Sequence, residues 1–256
     1  MKNSDIPVVI LCGGSGTRLR EQTEFLPKPM IPIGGKPMLV HIMKWYASFG
    51  FTRFVLALGY KQEVVKNYFI HYHEINGDVH INRLGTCQRN RKDMWDITMV
   101  DTGENTLKGG RLKQVERYIE SDIFMCTYGD GIGDIPINSL LTFHEAHGKM
   151  VTVTGVIHPP RFGSIERVGS FVTCFREKQR DDDNLINAGF FVFNRKIFDF
   201  LKPDGDLEIG VLDKIAESQQ MMVYEHKGYW GCMDNMSDLG NLQNIWNSGK
   251  AKWRVD

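Results

Sequence analysis

The sequence predicts an α/β chain with a mostly parallel central sheet, helices on both faces of that sheet and a smaller β-containing lobe toward the C-terminus. Two patterns carry the expectation. In the first half, short continuous apolar runs alternate with segments of helical periodicity, as parallel strands covered on both faces require. In the second half, strand-like runs follow one another between turn residues, so the later strands extend the first sheet or form a small attached one. All 256 residues are expected to make one continuous domain with two functional lobes, about 1–135 and 136–256.

Taken in order, Pro7-Val8-Val9-Ile10-Leu11 reads as a buried strand that ends in the turn Gly13-Gly14-Ser15-Gly16. Residues 38–49 carry apolar side chains at helical spacing and stop at Gly50, a C-terminal helix signal. A second buried strand covers 54–58 and closes at Gly59, followed by helices over 62–72 and 111–119 and a strand over 123–128. Strands are expected at 150–157, 163–168, 171–176 and 186–193, and helices at 196–201, 207–218 and 237–247.

Composition excludes several function classes. Lys plus Arg and Asp plus Glu both number 31, so the chain has no broad basic face for nucleic acid, while a local pocket for a small phosphate stays allowed. No apolar run reaches the ~18–20 residues that span a bilayer, so no membrane partner is expected. The N-terminal residues do not read as a secretory signal. The cysteines Cys12, Cys87, Cys126, Cys174 and Cys232 are odd in number and scattered, which fits reduced thiols in a cytoplasmic protein rather than a disulfide framework or zinc site.

The glycine turn is the first chemical signal. Its glycines let backbone N–H groups approach a ligand closely, Thr17 adds a hydroxyl and Arg18 a guanidinium suited to phosphate oxygens. The turn does not match a P-loop, because Gly16-Thr17-Arg18 replaces Gly-Lys-Ser/Thr. Nor does it match the dinucleotide fingerprint, because Leu19 stands where its third glycine would be. Lys28, between Pro27 and Pro29, is either an exposed loop lysine or an ammonium held against a phosphate by a stiffened backbone. Asp130, flanked by Gly129 and Gly131 at the end of a buried strand, is either a turn aspartate or a metal-binding carboxylate where open α/β sheets place their ligands.

Gly13-Gly14-Ser15-Gly16-Thr17-Arg18-Leu19 followed by Pro27-Lys28-Pro29-Met30 resembles the signature of the sugar-1-phosphate nucleotidyltransferases. Val100-Asp101-Thr102-Gly103, Gly109-Gly110-Arg111-Leu112-Lys113, Thr127-Tyr128-Gly129-Asp130-Gly131, Arg161-Phe162-Gly163, Tyr229-Trp230 and Met233-Asp234 are similar, in order and spacing, to the glucose-1-phosphate cytidylyltransferase family. The resemblance covers essentially the whole chain. It implies a Rossmann-like nucleotidyltransferase fold, transfer of CMP from CTP to glucose 1-phosphate for deoxysugar synthesis, Mg²⁺ as cofactor and a homo-oligomer. It implies that Leu11, Cys12, Gly13, Gly14, Ser15, Gly16, Thr17, Arg18, Lys28, Thr106, Gly110, Arg111 and Gly129 bind the nucleotide. Tyr128, Glu177, Lys178, Asn187 and Gly189 would face the sugar phosphate, and Asp130 and Asp234 would hold the metal. Arg18, Lys28 and Asp130 are the residues expected to carry the chemistry.

This sequence departs from the family pattern at two places on the sugar side. Gln179 stands where a proline commonly follows the Glu-Lys pair, and Asp206-Leu207-Glu208-Ile209-Gly210 replaces a tryptophan-glutamate stretch. His71, His73, His144 and His147 are expected to be solvated surface residues, Asp134 to lie in a loop, and Arg89, Arg91 and Lys92 to be a solvated basic loop.

Overall fold

Val8–Cys12 is five consecutive buried residues and forms β1 at the middle of the sheet. Val8, Ile10 and Cys12 face one apolar core while Val9 and Leu11 face another, so the strand is apolar throughout because both of its faces are covered. The structure is a computed structural model that describes residues 2–83, 87–89, 93–157, 164–168, 171–176 and 185–255. After β1 come helix α1 (Met38–Ser48), β2 (Arg53–Leu58), α2 (Gln62–Ile70), β3 (Asp96–Asp101), α3 (Lys108–Gln114), β4 (Ile123–Tyr128), β5 (Gly131–Gly133) and α4 (Ile137–His147). The second half adds β6 (Val151–Ile157), the paired strands β7 (Ser164–Val168) and β8 (Phe171–Arg176), β9 (Leu185–Asn194), α5 (Asp213–Glu217), β10 (Met221–His226), β11 (Trp230–Cys232) and α6 (Met236–Asn247).

The central sheet has seven strands in the order β10-β6-β9-β4-β1-β2-β3. Within it β4, β1, β2 and β3 are mutually parallel and β10 is parallel to β6, while β9 runs antiparallel to both of its neighbours. The expectation of a mostly parallel α/β sheet holds. Both outcomes left open for the later strands occur: β6, β9 and β10 extend the first sheet, and β7 with β8 forms a separate antiparallel pair. The carboxyl ends of β1, β2, β3 and β4 open onto one edge, where ligands of such sheets bind.

Several elements differ from the sequence reading. Helix α3 begins at Lys108 rather than 111, taking Gly109 and Gly110 into its first turn. The helix expected over 62–72 ends at Ile70 and a second short one runs over Tyr72–Asn76. The segment 207–218 is broken at Ile209 and Gly210, where Gly210 has φ +93°, before α5 starts. The helix expected at 196–201 is a 3₁₀ turn, Arg195–Asp199, whose first turn is capped by the Asn194 side chain accepting from Lys196 N–H. Strands β3, β5, β10 and β11 were not anticipated. Part of the reason is that β3 and β10 lie at the two edges of the sheet and mix exposed with buried residues, which blurs the apolar signal.

The histidine expectation fails at His144, which is 2% exposed. His144 Nδ1 and His147 Nε2 both hydrogen-bond the Thr152 hydroxyl, at 2.8 and 2.7 Å, and so join α4 to β6. Burial, with the neighbouring His147 second, pushes the His144 imidazole down to about 4. Asp134 lies in a loop, as expected, and is held there by its side chain. Its carboxylate pairs with the His226 ring at 2.8 Å and with Lys252 at 3.6 Å. Arg89 falls on a short strand, Cys87–Arg89, and residues 91–92 lie outside the described residues. Among the described residues Cys12, Cys126 and Cys232 are free thiols, the first two of them buried, and no helix is long and apolar enough to cross a membrane.

Candidate active site

The glycine turn leaves β1 where a side chain would not fit. A Cβ on Gly13 would fall 1.9 Å from the Arg111 guanidinium, and Gly16 has φ +62°. Beyond it Thr17–Leu19 is a 3₁₀ turn, and the chain returns through a second such turn, Lys28–Met30, held by the Met30 N–H to Pro27 carbonyl bond of 2.8 Å. Pro27 and Pro29 fix the backbone around Lys28, whose side chain is only 13% exposed. The reading of Lys28 as an exposed loop lysine therefore does not hold: its side chain is held in place.

Two carboxylates meet on its ammonium. Lys28 Nζ is 2.6 Å from Asp130 Oδ2 and 2.8 Å from Asp234 Oδ1. The pairing of β5 with β11 brings these aspartates together across about a hundred residues of chain. Gly131 lies opposite Cys232, and Met233 N–H donates to the Asp130 carbonyl at 2.9 Å, so residues 130 and 234 leave the two strands side by side. Arg18 reaches the other Asp234 oxygen at 3.3 Å while its side chain stays 71% exposed, free to swing toward a ligand. Burial alone would lower the Lys28 ammonium, but the charges and hydrogen bonds of Asp130 and Asp234 outweigh it and hold the group above its usual range.

These groups line a cleft of about 530 Å³. Its walls include Leu11, Cys12, the turn Gly13–Arg18, Lys28, Thr106, Arg111, Tyr128, Gly129, Asp130 and Asp234. Gly129 is required by crowding, because a Cβ there would sit 2.8 Å from the Pro29 ring. Burial, reinforced by the Asp130 charge, pushes the Cys12 thiol far up, so Cys12 stays protonated and fills space.

Arg111 is 4% exposed and its guanidinium is spent on the protein itself. Nη1 donates to the Leu58 and Gly103 carbonyls and the Thr102 hydroxyl, and Nη2 to the Gly13 and Glu104 carbonyls, all at 2.7 to 3.2 Å. It therefore ties together the loops that follow β1, β2 and β3. The Gly110 N–H is also taken, by the Gly205 carbonyl at 3.0 Å, and a Cβ on Gly110 would lie 2.1 Å from the Pro203 carbonyl oxygen. The glycine pair thus lets the 203–206 segment press against the start of α3.

On the opposite side of β4, Gly189 (φ +77°) accommodates the Tyr128 ring, which a Cβ would meet at 2.4 Å. Asn187 Oδ1 accepts from the Gly189 N–H at 2.8 Å, and its Nδ2 lies 3.4 Å from the Tyr128 hydroxyl. Glu177 and Lys178 lie outside the described residues. Sequence reasoning missed Glu104, Asn105, Lys108 and Asp206 as cleft residues and Glu208 as the partner of Tyr128 and Lys108. The departure of 206–210 from the family pattern was the available signal for the last two acidic residues.

A divalent cation fits the acidic pair by its donor chemistry. Among the described residues no group of three or more His, Cys, Asp or Glu side chains could enclose a metal ion, yet two carboxylates converge within 2.8 Å of one positive charge. Two carboxylates completed by phosphate oxygens and water is the habit of Mg²⁺.

The family model described as nucleotidyl transferase matches residues 7–252. The chain is 42% identical over 253 residues to the glucose-1-phosphate cytidylyltransferase of Salmonella typhi, spanning 96% of this chain and 98% of that one. It is 39% identical over 251 residues to the probable glucose-1-phosphate cytidylyltransferase of Bacillus subtilis, with the same coverage. Among solved structures, HddC from Yersinia pseudotuberculosis superposes with a TM-score of 0.69 at 24% identity, covering 94% of this chain and 99% of that one, which shows the shared fold. The glycine turn, the lysine held between two strand-end carboxylates and the match along nearly the whole length lead to one conclusion: the chain belongs to the nucleotidyl transferase family.

Proposed function

We propose that this protein transfers CMP from CTP to α-D-glucose 1-phosphate, forming CDP-glucose and releasing pyrophosphate. The observation that carries the reading is the meeting of Asp130 and Asp234 on Lys28 beside the glycine turn. The 42% identity to a glucose-1-phosphate cytidylyltransferase supports the choice of nucleotide and sugar.

The reaction is a direct displacement. A phosphate oxygen of the sugar phosphate attacks the α-phosphorus of CTP, a new P–O bond forms, and the bond to the bridging oxygen of the β-phosphate breaks with pyrophosphate as leaving group. No covalent enzyme intermediate is required, in keeping with the buried, protonated state of Cys12, the cleft thiol among the described residues. The protein's work is positioning and charge neutralisation. N–H groups of the Gly13–Gly16 turn face the triphosphate, Arg18 holds the leaving β- and γ-phosphates, and Lys28 turns from the carboxylates to the α-phosphate. Asp130 and Asp234 would hold Mg²⁺, which screens the repulsion between the anionic nucleophile and the triphosphate. Thr106 and its loop contact the base; Tyr128, Glu177, Lys178, Asn187 and Gly189 serve the sugar phosphate. We place the enzyme in the cytoplasm as a homo-oligomer supplying CDP-glucose for deoxysugar and surface polysaccharide synthesis.

The test is pyrophosphate release by the purified protein with Mg²⁺, glucose 1-phosphate and each of CTP, UTP, dTTP, ATP and GTP in turn. Release with CTP alone is expected. Release with another nucleotide in preference to CTP moves the protein to a different specificity. Release with none, across a panel of sugar 1-phosphates as well, contradicts the reading.

A further inference from the structure

The strongest cluster outside the carboxylate–lysine centre joins three segments far apart in sequence. Glu208 Oε1 accepts from the Tyr128 hydroxyl at 2.5 Å and also binds the Lys108 ammonium. The same ammonium lies 4.9 Å from the centre of the Tyr128 ring, over its face. The second carboxylate oxygen, Oε2, is buried with no hydrogen-bond partner among the described residues, so the carboxylate is held through Oε1, by Lys108 and Tyr128. Glu208 is itself held by Asp206, whose carboxylate accepts from the N–H groups of Glu208 and Ile209 at 2.9 and 3.1 Å.

The placement gives this cluster a function. Lys108 begins the helix that follows the nucleotide loop and, with Asp206 and Tyr128, lines the cleft. Tyr128 ends β4, two residues before Asp130, and its hydroxyl points to Asn187 on β9, away from β1 and the glycine turn. That is the half of the cleft left for the second substrate once the triphosphate lies along the turn. A phenol has one proton, and here Glu208 takes it, so the Tyr128 oxygen offers only lone pairs to Asn187 and to the cleft.

We propose that Glu208 is a positioning residue for the sugar phosphate: by fixing the Tyr128 hydroxyl and the Lys108 ammonium, it makes the sugar side and the nucleotide loop a single preformed surface. This inference rests on the proposed reaction. Glu208 does not touch the reacting atoms; it acts through Tyr128 and Lys108.

The experiment is a double-mutant cycle on steady-state kinetics with CTP and glucose 1-phosphate, with thermal unfolding measured for each variant. Glu208→Gln keeps the shape and removes the charge. It is expected to raise KM for glucose 1-phosphate about 10-fold, the scale of one charged hydrogen bond, while kcat and KM for CTP change by less than about 3-fold. In the Tyr128→Phe background the same change is expected to cost about 3-fold rather than 10-fold, because only the contact with Lys108 is left for Glu208 to act through. Equal effects in both backgrounds, or equal rises in both KM values, overturn the proposal. If Glu208→Gln does not fold, Lys108→Met examines the same carboxylate from a side chain that is 44% exposed, and an unchanged sugar-phosphate KM there overturns it equally. Wild-type protein that releases pyrophosphate but shows no such coupling contradicts this proposal alone. Wild-type protein that neither releases pyrophosphate nor binds glucose 1-phosphate by calorimetry contradicts it together with the proposed reaction.

Discussion

The two halves of the cleft are built differently. On the nucleotide side, the residues that matter lie in short continuous stretches, 11–18 and 27–30, and their backbone is held by glycine, proline and one buried arginine. On the sugar side, the contacts come from single side chains on β4, β9, the start of α3 and the 206–208 segment, joined by hydrogen bonds between residues 59 to 100 positions apart. One side is held by a constrained backbone and the other by cross-linked side chains. Substitutions should therefore act differently on the two sides.

The largest effect is expected at the centre where the sides meet. Lys28→Ala removes the group between the two carboxylates and should lower kcat about 1,000-fold with little change in thermal stability, as measured by pyrophosphate release and calorimetric unfolding. A comparable loss of stability would instead make Lys28 a structural pin.

Next is Arg111, on the nucleotide side. Arg111→Leu strands the carbonyls of Gly13, Leu58, Gly103 and Glu104, which are its hydrogen-bond partners. Unfolding free energy should drop by about 3 kcal/mol, because several buried acceptors lose their donor at once. A variant as stable as the parent in urea unfolding would show that the three loops do not depend on it.

Arg18 gives the complementary case on the same side. Its side chain is 71% exposed and, among the described residues, makes one ion pair, so Arg18→Ala should leave stability within about 0.5 kcal/mol while turnover falls about 100-fold. Unchanged turnover in the folded variant removes Arg18 from the mechanism.

The smallest effect lies outside the cleft, at the buried His144. Its pKa in the fold is about 4, below the ordinary 6.5, so the unfolded chain takes up a proton first as the pH falls. The stability His144 contributes is full above pH 6.5 and is lost as pH drops toward 4, by about 2.5 kcal/mol at pH 4.5. His41, buried against the Ile33 carbonyl and also pushed down by burial, adds a loss of the same sign. His144→Gln should flatten the stability profile between pH 6.5 and 4.5 in part; an unchanged slope would place the titration elsewhere.

What the sequence disclosed follows the same division. Strand β1, the glycine turn and the Pro-Lys-Pro segment were legible because each is a local pattern whose physics is local: an apolar run, a glycine with positive φ, a proline-fixed backbone. The partnership of Asp130 with Asp234 was implied by the family resemblance alone and not by any local pattern, since it depends on the pairing of β5 with β11, two strands of three residues each. Glu208 was visible only as a departure from a family pattern, because no spacing along the chain links it to Tyr128 and Lys108. Arg111 was legible as a site residue, but its buried hydrogen bonds to the three loops were not, because those carbonyls come together only in the fold. The helix start at Lys108 was misplaced for a related reason: glycines read as a turn, whereas here they allow the 203–206 segment to press onto the helix.

The role of the two carboxylates is tested by transfer of label from α-³²P CTP to glucose 1-phosphate by the wild-type protein and by Asp130→Asn and Asp234→Asn. Labelled CDP-glucose is expected from the wild type, at a rate that falls below about 1% in either folded variant, because neither carboxylate alone can hold the charge at the reacting centre. Transfer at the wild-type rate by either variant, or label that never enters the sugar nucleotide, would contradict it.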